Sequence, residues 1–269
     1  MITLNGEIYT GTYFPDGTQC LSVEEALLEG SWVDCVWKYE KEEEMITLFY
    51  LKKHFQEKGI EVALTMPYIP NARMDRVKKD TEVFTLKYFA QFINSLDFIS
   101  VRVLDPHSNV STALLDRLIV DSPAPYIETA IVNVQQQVGN LLLYFPDEGA
   151  SKRYGDLFPL PYCYGIKKRK WEDGSIIGLD VVDQGIDLQG KNILMIDDII
   201  AFGGSLYHSA KKLKELGSGK IYAYATHVEK SILNTEKGLL LNSGLVEEIY
   251  TTDSLFQGKH EKIKVIACQ

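Results

Sequence analysis

The chain has 269 residues, with 28 Lys and Arg against 37 Asp and Glu, for a net charge of −9. That balance disfavours a broad nucleic-acid surface, because proteins that neutralise backbone phosphates carry the opposite excess. At 45% hydrophobic residues the length supplies one large or two small domains with a full core and no need of staples.

The elements follow in chain order. Residues 44–57 (EMITLFYLKKHFQE) carry a helical pattern, and Val62 to Tyr68 reads as a strand. Phe84, Tyr88, Phe89, Phe92, Ile93 and Leu96 recur at helical spacing and predict a helix over 82–96, its aromatic residues serving the core. Phe98–Leu104 is a strand rich in β-branched residues. The DSPA stretch at Asp121–Ala124 is the expected boundary between two halves, 1–122 and 123–269. Beyond it, Leu141–Phe145 and Ile193–Ile196 are continuously apolar, as expected of strands buried on both faces. Ser205–Leu216 is an amphipathic helix stopped by Gly217. Ile221–Val228, Glu248–Thr251 and Lys262–Ala267 complete the strands. Strands separated by helices predict an α/β protein with parallel, doubly wound sheets.

Cys20, Cys35, Cys163 and Cys268 show no CxxC pair and no metal-type spacing, which predicts free thiols of a reducing compartment. The opening MITLNGEIYTGTY lacks the order of a signal peptide, and no apolar run approaches the ~18 residues of a membrane span. The expectation is a cytoplasmic protein with neither membrane nor nucleic acid as partner.

The acids fall where a ligand belongs. Asp105 follows ISVRVL, Asp147 follows LLLYFP, and Asp197 and Asp198 follow ILMI. In open α/β sheets, ligands bind beyond the carboxyl ends of the strands. Any one of these acids serves equally well as the cap of the next helix. The adjacent pair asks for more, since two neighbouring carboxylates repel unless a cation or sugar hydroxyls engage them. After the pair come Ile199, Ile200, Ala201, Phe202, Gly203, Gly204 and Ser205, and then a helix. Glycines that turn the backbone and present N–H groups at a helix N-terminus are suited to a phosphate.

ILMIDDIIAFGGS resembles the phosphoribosyl-pyrophosphate motif of type I phosphoribosyltransferases and of ribose-phosphate diphosphokinases (PRPP synthetases). Further segments resemble the synthetases. Phe14-Pro15-Asp16-Gly17-Thr18 is similar to FSDGE, and Pro67-Tyr68 through Ala72-Arg73-Met74-Asp75-Arg76 to PYxxARQDR. Leu104-Asp105-Pro106-His107 resembles LDLH, Pro146-Asp147-Glu148-Gly149 resembles PDxGG, Lys167-Lys168-Arg169 resembles the catalytic K-x-R, and Ala225-Thr226-His227 the ATH strand. Their order is the family's, across nearly the whole chain.

The resemblance implies two tandem phosphoribosyltransferase-like domains, each a mostly parallel sheet flanked by helices. The N-terminal one would carry the ATP segments and the C-terminal one the sugar-phosphate loop. It implies transfer of the β,γ-diphosphate of ATP, with Mg²⁺, to the anomeric hydroxyl of ribose 5-phosphate. Phe14, Asp16, Arg73, Asp75, Arg76 and His107 would contact ATP, with Phe14 and Asp16 reaching it from a neighbouring subunit of a homodimer or larger assembly. His107 and Asp147 would assist the metal, and Lys167 and Arg169 would stabilise the migrating diphosphate. Asp197 and Asp198 would take the ribose hydroxyls, and Ala201, Phe202, Gly203, Gly204 and Ser205 the 5′-phosphate. Taken alone, KKRK at 167–170 reads equally as a solvated basic turn, and His107 as a loop histidine.

The family loop reads DDxxDTxGT, whereas here its third Asp and following Thr are Ala201 and Phe202. Met74 replaces the Gln of ARQDR, Glu148 and Ala150 depart from PDHGG, and VKKDTEV follows Arg76 in place of an Arg-rich run. A loop with Ala201 and Phe202 suits a 5′-phosphate that is already esterified, as in ADP-ribose. Shortened relatives associated with bacteriophage NAD salvage make ADP-ribose 1-pyrophosphate by the same transfer. The competing readings are ordinary ribose 5-phosphate as acceptor, a catalytically silent regulatory homologue, and a phosphoribosyltransferase.

Overall fold

The computed structural model describes residues 1–169, 176–183 and 185–268, and the chain divides into two compact units, Met1–Ser122 and Pro123–Gln269. The first unit contains β1 (Ile2–Leu4), β2 (Glu7–Ile8), β3 (Thr12–Tyr13), β4 (Gln19–Cys20), β5 (Trp32–Trp37), α1 (Glu44–Glu57), β6 (Glu61–Thr65), α2 (Thr85–Ser95), β7 (Ser100–Leu104), α3 (Asn109–Leu114) and β8 (Leu118–Asp121). Its main sheet has the order β2-β1-β5-β6-β7-β8, antiparallel at the β2-β1-β5 edge and parallel from β5 to β8. β3 and β4 form a separate antiparallel ribbon. Alternation decides what is buried. Val33, Cys35 and Trp37 of β5 and Val62 and Leu64 of β6 point to one core, where α1 contributes Leu48, Leu51 and Phe55 and α2 contributes Leu86, Phe89 and Ile93.

The second unit contains α4 (Ala124–Val138), β9 (Leu141–Phe145), α5 (Glu148–Tyr154), β10 (Tyr162–Arg169), β11 (Ile176–Val182), β12 (Asn192–Ile200), α6 (Gly204–Glu215), β13 (Ile221–Val228), α7 (Leu239–Asn242), β14 (Ile249–Thr252) and β15 (Ile263–Ile266). The sheet order is β11-β10-β9-β12-β13-β14-β15, all parallel except the β10–β11 pair. Every residue of β9 is buried because the strand feeds two cores. Leu142 and Tyr144 face Leu206, Ala210 and Leu213 of α6. Leu141, Leu143 and Phe145 face Ile127, Ile131 and Val134 of α4 and Tyr154 of α5. Both units are therefore mostly parallel sheets flanked by helices, the α/β class expected.

Several boundaries differ from the sequence reading. α2 starts at Thr85 rather than 82, because Glu82 turns back and accepts a hydrogen bond from the Lys78 N–H at 2.7 Å. β6 stops at Thr65, where the chain enters the turns of 67–73. β12 runs on to Ile200, so Asp197 and Asp198 lie in the strand and not after it. β13 makes that extension possible, pairing Ile199 with His227 and Ile200 with Val228. The strand β5, the helix α4 and the β10–β11 hairpin are elements that the sequence reading did not assign.

Candidate functional site

The acidic pair sits at the carboxyl end of β12, the central strand of the second sheet. Consecutive strand residues point to opposite faces, yet the two carboxylates stay coupled through the backbone. The Asp198 N–H donates to Asp197 Oδ1 at 3.0 Å. Asp198 is 7% exposed. Burial, and then the charge of Asp198, push Asp197 well above the ordinary carboxylate range. The pair thus favours holding one proton.

The loop beyond the pair is built around Gly203. Its φ is +80°, in the left-handed region, and a Cβ there would lie 2.5 Å from Leu240 Cβ on α7. Gly203 precedes the first turn of α6 and accepts from the Tyr207 N–H at 2.8 Å. Gly204 is different: a Cβ would meet only Leu239 Cδ1, at 3.9 Å. Of the two glycines, backbone conformation and close packing both demand the first. Ser205 Oγ is buried in the first turn of α6 with no hydrogen-bond partner, an arrangement that costs about 1–3 kcal/mol unless something binds there. Phe202 does not pack into the core; it is 40% exposed.

Asp147 follows β9, the neighbour of β12, and caps α5, its Oδ1 accepting from the Ala150 N–H at 3.1 Å. The capping role that any such Asp can fill is therefore real here. The same helix carries a residue that the sequence reading passed over. Arg153, in its last turn, places Nη1 3.6 Å from Asp198 Oδ2. Its guanidinium lies over the ring of Tyr154, 5.6 Å from the centroid. Among the described residues, a cation for this pair comes from a different element, and its local signal was a basic residue six positions past a capping Asp.

β10 pairs with β9 only from Tyr162 to Tyr164, then continues as a ribbon with β11, Lys167 opposite Leu179 and Arg169 opposite Ile176. The segment that read, taken alone, as a solvated basic turn is through Arg169 an antiparallel strand. The Lys167 and Arg169 side chains, and residues 170–175, lie outside the described residues.

In the first unit, two adjacent parallel strands deliver the other expected residues to one edge. Residues 66–76, with Arg73, Asp75 and Arg76, leave β6, and Asp105 to His107 leave β7. The edge is laced by backbone hydrogen bonds from Met66 N to Arg102 O (2.7 Å) and from Leu104 N to Pro67 O (3.0 Å). Arg73 and Arg76 are exposed, and Arg76 Nε lies 3.6 Å from Asp75 Oδ1. Asp105, expected to face a ligand, is instead buried at φ +44°, its N–H bonded to Asp121 O. Phe14 and Asp16 form the tip of the β3–β4 ribbon. Phe14 is exposed, and Asp16 accepts from the Thr18 N–H (2.9 Å) and Oγ1 (2.7 Å), which hold its carboxyl below the usual range.

Among the described residues no three His, Cys, Asp or Glu side chains are grouped to hold a metal ion. Mg²⁺ keeps several waters and is bound through one or two carboxylates together with substrate phosphates. Asp147, its carboxylate oriented by the α5 cap, fits such a partial donor set.

An acidic pair ending the central strand, then a left-handed glycine and a helix N-terminus, defines a phosphoribosyltransferase-type α/β protein. Residues 178–269 match the family described as Phosphoribosyl synthetase-associated domain. The ribose-phosphate pyrophosphokinase of Thermococcus kodakarensis is 30% identical over 219 residues, covering 80% of this chain and 75% of the relative. That of Sulfolobus acidocaldarius is 25% identical over 250 residues, covering 91% and 83%. The fold is shared with the crystal structure of phosphoribosylpyrophosphate synthetase from Mycobacterium smegmatis, at a TM-score of 0.77 and 17% identity over 97% of this chain and 86% of that one. The chain belongs to the ribose-phosphate pyrophosphokinase family and is a diphosphotransferase enzyme.

Proposed function

We propose that the protein transfers the β,γ-diphosphate of ATP to the anomeric hydroxyl of a ribose-5-phosphate moiety. The observation that carries this reading is the pair Asp197–Asp198 joined by the Gly203 turn to a helix N-terminus where Ser205 Oγ is buried without a partner. The pair accepts hydrogen bonds from the two ribose hydroxyls, while Ser205 and the N–H groups of Gly203 and Gly204 take the 5′-phosphate. Arg73, Asp75, Arg76 and His107, together with Phe14 and Asp16 of a neighbouring subunit in a homodimer or larger assembly, hold the nucleotide. Lys167 and Arg169 meet the charge that develops on the migrating diphosphate. Mg²⁺, held near Asp147 and His107, neutralises the ATP phosphates when bound.

The acceptor favoured is ADP-ribose, giving ADP-ribose 1-pyrophosphate for NAD salvage, and Phe202 supports it. At 40% exposure the ring is available to an esterified phosphate and its extra nucleoside, while Ala201 removes the carboxylate that would crowd them. Ribose 5-phosphate is the second reading, favoured by the names of the relatives. The test is incubation with ATP, Mg²⁺ and each acceptor separately, with mass spectrometry to find which gains a diphosphate. AMP release that vanishes in Lys167→Ala distinguishes an enzyme from a silent homologue. Robust turnover of ribose 5-phosphate with none of ADP-ribose overturns the acceptor assignment.

A further inference from the structure

We infer that Arg153 is the positioning residue of the acidic pair, orienting Asp198 so that the two carboxylates together grip the vicinal hydroxyls of the sugar. The inference rests on the sugar-binding reading above and assigns that site its selectivity for a diol.

Three observations carry it. Arg153 Nη1 is 3.6 Å from Asp198 Oδ2, and Asp198 is nearly inaccessible, so this cation meets the carboxylate where water screens it little. The guanidinium is itself fixed. It lies over the Tyr154 ring, and Nη1 is 3.4 Å from Tyr154 Oη. Tyr154 is buried and packs on Phe145 of β9, with ring centroids 6.3 Å apart. Lys152, beside it in sequence, is committed elsewhere, pairing with Glu148 at 2.8 Å on the exposed face of α5. The two basic neighbours are thus divided, one on the helix surface and one on the acidic pair.

Asp197 spends Oδ1 on the Asp198 N–H, and the two carboxyl groups also interact directly through charge and a side-chain hydrogen bond, so a change in the direction of one is felt by the other. A planar guanidinium stacked on an aromatic ring fixes the carboxylate direction better than a flexible ammonium does. Without it, Asp198 loses a contact that directs Oδ2, and the sugar hydroxyl facing that oxygen meets a less well-oriented acceptor.

The experiment compares wild type, Arg153→Gln and Arg153→Lys with ribose 5-phosphate, 2-deoxyribose 5-phosphate and ADP-ribose as acceptors. Arg153→Gln is expected to raise the KM of the ribosyl acceptor by about tenfold or more, with the KM of ATP within about twofold. Its preference for ribose 5-phosphate over the 2-deoxy sugar should collapse, and Arg153→Lys should recover part of it. Unchanged acceptor KM and an unchanged preference overturn the inference and leave the function intact. Failure of the wild type to transfer diphosphate to any acceptor overturns the function, and this inference with it. If Arg153→Gln does not fold, Arg153→Lys decides alone by its acceptor preference. Failure of both to fold overturns the inference in favour of a purely structural ion pair.

Discussion

Gly203 and Leu240 meet so closely that a single methyl group cannot be added between them: the Cβ positions would lie 2.5 Å apart. The contact joins the turn after β12 to α7, so the loop's shape is held by packing as well as by its own left-handed backbone. Gly203→Ala should lose roughly 2–5 kcal/mol, combining the left-handed penalty with overpacking. Gly204→Ala, with open space around it, should change stability by no more than about 1 kcal/mol. Urea unfolding midpoints of the two variants check this, and equal losses would show the asymmetry to be wrong.

Asp197 sets a pH dependence of known sign. Because burial and Asp198 raise it above its ordinary 3.8, the folded protein keeps this proton at pH values where the unfolded chain has released it. The folded state then binds more protons, so the contribution to stability is full below about 4 and is lost as pH rises through the raised native value. Asp197→Asn, which cannot ionise, should therefore gain stability relative to wild type as pH increases, while losing diphosphate transfer. Unfolding midpoints measured from pH 4 to 8 for both proteins test the sign.

Ala201 and Phe202 should control the acceptor. Ala201→Asp with Phe202→Thr restores an acid and a hydroxyl beside the helix N-terminus. The double variant is expected to shift kcat/KM toward ribose 5-phosphate and away from ADP-ribose by about tenfold or more. No change in the ratio would remove Phe202 from the specificity argument.

The thiols divide two and two. Burial pushes both Cys35 and Cys163 up to about 12, helped by Asp34 and Asp183 respectively. Cys20 is exposed and Cys268 partly so. A thiol reagent at pH 8 should modify Cys20 and Cys268 rapidly in the native protein and reach the buried pair only on unfolding, read by mass spectrometry.

Much of this was legible in the sequence because it is local. A continuous apolar run marked β9, the strand read at Ile221–Val228 has the bounds of β13, and helical spacing marked α1. Phe202 and Ser205 were visible as members of a loop between a strand and a helix. What escaped has a common cause. β12 extends through two aspartates because β13 lies alongside it, and the basic 167–169 segment is a strand because β11 pairs with it. Hydrogen-bonding partners distant in sequence overrode the local polarity.

Among the described residues no helix is long and apolar enough to cross a membrane. The sequence by itself determined the α/β class, the acidic pair and the glycine turn after it, since each depends on neighbours within a few positions. Only the tertiary structure decided which glycine is indispensable and, among the described residues, that Arg153 meets Asp198. Those outcomes depend on α7 packing against the loop and α5 packing beside β12, contacts between residues far apart in the chain.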